Sequence, residues 1–81
     1  MSTVIEVEGE TFRVDTREQP GGLRCVDFTW LTGPADGTYG FTVSGLPLDR
    51  IEEEAALFVR AFFAEDGIGP ADFPDFVAGR A

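Results

Sequence analysis

The chain has 81 residues, with no His, no Lys, a single Cys and 15 acidic residues against six Arg, for a net charge of −9. His, Lys and Cys are the groups most readily tuned to titrate near neutral pH, so this composition argues against an enzyme and leaves acid–base work to carboxylates and hydroxyls. One Cys makes no internal disulfide and, without His, no zinc site, so neither metal nor cofactor is expected.

The charge is spread: seven acids and three Arg over 1–46 give −4, and eight acids and three Arg over 47–81 give −5. Direct binding to nucleic acid or to an anionic membrane needs clustered cations, which are missing. The start of the chain has no basic stretch followed by a long apolar run, and nowhere do about 18 apolar residues occur in a row. No signal peptide or spanning helix is expected, and the cytoplasm is the expected location. Hydrophobic residues make up 43% of the chain, including eight Phe. That is ample for one small core and more than such a core readily hides.

In chain order, Val4 to Asp15 reads as a hairpin. Ile5 and Val7 alternate with Glu6 and Glu8, and Phe12 and Val14 with Arg13 and Asp15. A type II′ turn at Gly9-Glu10 sets Val7 opposite Phe12 and Ile5 opposite Val14. Thr16 to Gly22 is a loop broken by Pro20-Gly21-Gly22. Leu23 to Thr32 forms a third strand with Val26, Phe28 and Trp30 on one face. Gly33-Pro34-Ala35-Asp36-Gly37 turns the chain into a fourth, Thr38 to Ser44. That loop aligns Trp30 with Tyr39, Phe28 with Phe41 and Val26 with Val43. The opposite face is small and polar and should meet water. The strand order stays open, since the 16–22 loop lets the hairpins pair as 1-2-3-4 or in another order.

Gly45 to Leu48 then leads into a helix, with Asp49 as N-cap and Glu52 completing a capping box. Ile51, Ala55, Phe58 and Phe62 recur at the spacing of one buried face. Gly67 is read as the left-handed residue that ends the helix. About 18 residues at ~1.5 Å each span ~27 Å, enough to cross the sheet. In the tail, Pro74 to Ala78 reads as one helical turn with Pro74 in first position, anchored by Phe73 and Phe76.

The fold class is therefore α+β in one domain, residues 1–81. A four-stranded antiparallel meander of two hairpins (1–46) carries one long helix across one face (47–67) and a tail with a short helical turn (68–81).

Candidate binding residues lie in the last two segments. From Ala55 to Ala64 Arg60 is the only polar residue, so apolar side chains wrap most of the helix. Leu57, Ala61 and Ala64 lie 100–160° from the Ile51–Phe62 stripe, and Phe63 lies on the other flank. These residues form either a dimer or partner surface or a seat for the folded-back tail. Arg60 has no acid one turn away and is a candidate anchor, or else lies along the Phe cluster. Asp72, Phe73, Asp75 and Phe76 make an acidic segment studded with aromatics, suited to a basic partner with an apolar groove. The Glu52–Glu54 run is explained by the helix dipole alone. Cys25 reads as a small buried side chain.

The function expected is a small acidic protein-interaction module without catalysis, binding a partner protein, basic in character, through the helix and the acidic aromatic segment. Two alternatives stand beside it. One is a nucleic-acid-mimicking inhibitor, or immunity-type protein, directed at a basic DNA-binding protein. The other is a structural homodimer subunit.

Overall fold

A computed structural model describes residues 2–79, so the last two residues of the expected tail lie outside the described residues. The alternating stretches form four strands: β1 (Ser2–Val7), β2 (Glu10–Glu18), β3 (Arg24–Trp30) and β4 (Gly40–Ser44). Each pairs antiparallel with its neighbour in chain order, β1-β2-β3-β4, which resolves the order left open by the sequence.

The β3–β4 register is the one the apolar faces require, Val26 opposite Val43 and Phe28 opposite Phe41. The β1–β2 register differs from the expectation by two residues. Val7 faces Glu10 and Ile5 faces Phe12, because the turn is Glu8-Gly9, both left-handed at φ 54° and 77°. Such a pair matches the strand twist of a type I′ hairpin. A shift of two leaves every side chain on its original face, so periodicity could not detect it. It brings Glu10 into the strand, on the buried face. There its carboxylate accepts from Trp30 Nε1 at 2.9 Å and from the Thr32 hydroxyl at 2.7 Å. β2 also runs three residues past Asp15, to Glu18, and the loop shortens accordingly; Gln19 N–H closes it on the Leu23 carbonyl.

Between β3 and β4 a single helical turn, α1 (Pro34–Gly37), contains Ala35 and Asp36 in left-handed conformation. After β4, a 3-10 turn (Leu48–Arg50) runs into α2 (Ile51–Phe63). The helix is thus shorter than the span 47–67. Asp49 lies inside the 3-10 turn and is not the N-cap, since Pro47, held extended at φ −62°, starts the turn earlier. Gly67 is not left-handed either. α2 ends where Ala64 turns extended, and Gly67, at φ −83°, precedes the next helix. Glycine is needed there for a different reason: a Cβ would collide with the Ala61 carbonyl.

The tail forms two short helices, α3 (Ile68–Asp72), which periodicity did not reveal, and α4 (Pro74–Gly79), which begins at Pro74 as expected. Both fold back on the body. Phe76 meets Trp30 and stacks on Phe63, and Phe73 meets Tyr39 and Phe62.

The core joins Phe12, Val14, Val26, Phe28 and Trp30 of the sheet to Ala55, Val59 and Phe62 of α2. The buried helix face is therefore rotated from the expected stripe toward Val59, with Ile51 and Phe58 only half-buried. Seating the tail against Phe63 draws that flank inward. Phe62 is 1% exposed and touches rings from the sheet, its own helix and the tail, where Phe73 joins α3 to α4 and Phe76 lies in α4. Phe62→Ala is expected to cost about 4 kcal/mol, the loss of a buried ring plus the void it leaves, read as a lowered urea midpoint at 25 °C.

Candidate functional site

Two regions gather the candidate residues. The first is the outward face of α2. Once Ala55, Val59 and Phe62 face the sheet, the 3.6-residue period points Leu57, Ala61 and Ala64 to the opposite side. Leu57 is 52% exposed, Ala61 is exposed and Ala64 half-buried. Ile68, at the start of α3, extends the apolar strip and is 44% exposed. At one end a hollow of about 290 Å³ is walled by Leu46, Pro47 and Leu57 with Arg50, Glu53 and Glu54. At the other, one of about 380 Å³ is walled by Phe58, Ala61, Phe62, Ala64 and Ile68, with Asp66 beside them. Leu46 and Ile68 were not singled out by the sequence, because they lie in loop and tail positions outside the helical period.

The second region is the end of the molecule where α1 meets the tail. Asp72, Phe73, Asp75 and Phe76 line a cleft of about 400 Å³ with Gly33–Asp36. Asp36 joins them through a turn that the sequence could not place in space. The two Phe side chains are half-buried and engaged with core rings, so they seat the tail and line the cleft at once.

Phe63 belongs to neither opening. It lies half-buried between Trp30 and Phe76. Arg60 reaches away from the Leu57 strip to the β1–β2 turn, where its Nε donates to Glu8 Oε1 at 2.6 Å. That ion pair ties α2 to the hairpin tip and answers the lack of an acid one turn away along the helix.

The open face of the sheet carries a polar network. Asp15 and Asp27 stand directly opposite each other, an unfavourable pair of like charges taken alone. Arg13 binds Asp15 at 3.2 Å and Arg17 binds Asp27 at 2.8 Å. The Ser2 hydroxyl donates to Asp15 and the Thr42 hydroxyl to Asp27, the latter at 2.6 Å. These hydrogen bonds from Arg17 and Thr42 hold the Asp27 carboxyl below the usual Asp range, and Asp27 in turn raises Arg17. The shift moves Asp27 away from the neutral range in which a general acid works best. Cys25, on the same face, is fully buried beneath this network, its sulfur 3.5 Å from the Ser44 hydroxyl.

Among the described residues no group of three or more acids and Cys is placed to hold a metal ion. No described helix is long and apolar enough to cross a membrane. Comparison with known proteins gives no match to a family model, a curated protein or a solved structure.

The Asp27 shift has a definite sign. A carboxyl depressed on folding contributes stability above its unfolded value near 3.8, lost as pH falls through the lower folded value. Asp27→Asn is expected to lower stability at pH 7 by about 1 kcal/mol or less, the size of a screened surface pair. The difference from wild type should vanish on acidification below the folded value, as read by urea midpoints across pH.

Proposed function

We propose that this chain is a small acidic protein-interaction module that works without catalysis. Its partner-binding surface is the outward strip of α2, continued toward the acidic, aromatic end of the tail. The observation that carries the reading is the division of apolar side chains on α2. One face closes the sheet and the Phe63 flank is taken up by the tail, yet Leu57, Ala61 and Ile68 stay open to solvent. A contiguous apolar strip rimmed by polar groups is the usual mark of a protein-binding surface. The composition agrees: with no His or Lys, the chain lacks the groups most enzymes use.

The residues assigned to this surface are Leu57, Ala61 and Ala64, with Asp72, Phe73, Asp75 and Phe76 at the tail end. Arg60 and Phe63 have structural employment, in the Glu8 ion pair and under Phe76, and border the surface.

Affinity capture with wild type and Leu57→Asp as paired baits tests the reading. Leu57 is half-exposed, so the variant should keep the wild-type circular dichroism and melt within about 0.5 kcal/mol of it. A protein retained by wild type and lost by Leu57→Asp is the expected result. Identical captured sets from both folded baits would remove this strip from the function.

A further inference from the structure

We infer that the occupant of the α2 strip is a cationic amphipathic helix of a partner protein, a statement that rests on the interaction reading above and adds the partner's chemistry. The shape comes first. From Arg50 to Ala64 the strip runs about 21 Å along the helix axis, with a hollow at each end. Between them the surface is low, because Ala61 and Ala64 carry only a methyl group each. Small side chains let a second helix approach closely, while the end hollows accept larger apolar residues one or two turns apart.

The charge decides what kind of helix. At the rim, Arg50 is already bound to Glu53 at 2.6 Å, so this pair cancels. Glu54 in one hollow and Asp66 in the other have no ion-pair partner among the described residues. Among the described residues the other cations are each already paired: Arg13, Arg17, Arg24 and Arg60 with Asp15, Asp27, Glu18 and Glu8. Among the described residues the strip is thus apolar along its floor and acidic at both ends, with no counter-ion for Glu54 or Asp66. Lys or Arg flanking the apolar face of an incoming helix supplies what the rim lacks. A second copy of this chain would bring another net charge of −9 and set Glu54 and Asp66 against acids of the same kind. An anionic lipid surface would be repelled in the same way.

The test uses the full-length protein and a defined probe, an amidated 14-residue amphipathic peptide of Leu and Lys, beside its Leu/Glu counterpart. Nitrogen-15 amide shifts map the site, and fluorescence anisotropy at two salt concentrations measures affinity. The expected result is saturable binding of the Lys peptide, with shifts concentrated on Leu46, Leu57, Ala61, Ala64 and Ile68. Leu57→Asp raises the net charge to −10, yet it should weaken binding about tenfold or more by spoiling the apolar floor. Glu54→Gln with Asp66→Asn should weaken it about three- to tenfold and flatten the salt dependence. Glu6→Gln, which removes one charge from β1, should change affinity less than about twofold.

Tighter or unchanged binding by Leu57→Asp would reduce the attraction to net charge and overturn the inference. Equal binding of the Leu/Glu peptide, or a solution mass of twice 8.8 kDa that Leu57→Asp halves, would overturn it too. Should a captured partner depend on Leu57 but be indifferent to Glu54→Gln with Asp66→Asn, the cationic helix is wrong and the interaction surface stands. Should capture ignore Leu57, the surface itself is wrong.

Discussion

The indole of Trp30, fully buried, meets five Phe rings drawn from three parts of the chain: Phe12 of β2; Phe58, Phe62 and Phe63 of α2; and Phe76 of α4. Sheet, helix and tail therefore share one side chain as their common neighbour. The indole N–H, which would be costly to bury alone, donates to Glu10 and lies 3.2 Å from the Thr32 hydroxyl. The space around the ring is tight enough that Gly33 admits no Cβ without striking it. An 81-residue chain buries a modest share of its surface, and here that burial is concentrated on one aromatic centre. Phe76 docks α4 on this same centre, and Phe73, between the two tail helices, packs beside it on Phe62 and Tyr39.

This arrangement settles which apolar surface is consumed by folding. The tail closes over the Phe63 flank of α2 and leaves the Leu57 flank uncovered. Charge is divided as well. On the open sheet face Arg13 and Arg17 are matched by Asp15 and Asp27, and at the far ends of β2 and β3 Arg24 is matched by Glu18, so the sheet's exposed pairs are nearly neutral. In the helical layer and tail, Glu52, Glu54, Glu65, Asp66, Asp72 and Asp75 have no ion-pair partner among the described residues. The Leu57 strip and these acids thus lie on the helical side of the molecule, where an oppositely charged partner would gain from both.

Much of this was legible from periodicity. Alternation placed Val26, Phe28, Trp30, Phe41 and Val43 on one face, and matching those faces across a turn fixed the β3–β4 register. The i, i+4, i+7 spacing located the helix and left Leu57, Ala61 and Ala64 off its buried side. What escaped depends on contacts distant in sequence. A two-residue slip in β1–β2 preserves faces, and the registers are distinguished by the left-handed Glu8-Gly9 turn and by the burial of Glu10 against Trp30. The role of Gly67 is set by the Ala61 carbonyl, a clash that no local pattern announces. Glu8 answers Arg60 from 52 residues away. At the candidate site, Asp36 joins Asp72 and Asp75 through the closing of a hairpin, and Ile68 joins Leu57 through the turn between α2 and α3. Side-chain spacing within one element carries neither relation.

α2 is apolar on two sides, on the Phe63 flank for folding and, in the proposed reading, on the Leu57 face for recognition. Equilibrium urea unfolding of Phe63→Ala beside Leu57→Ala measures this division directly. Phe63 lies between Trp30 and Phe76, so its truncation should cost about 2 kcal/mol or more. Leu57, half-exposed, should lose less than about 0.5 kcal/mol. Comparable losses at the two positions would mean that the Leu57 face is part of the core and is not a surface held open for a partner.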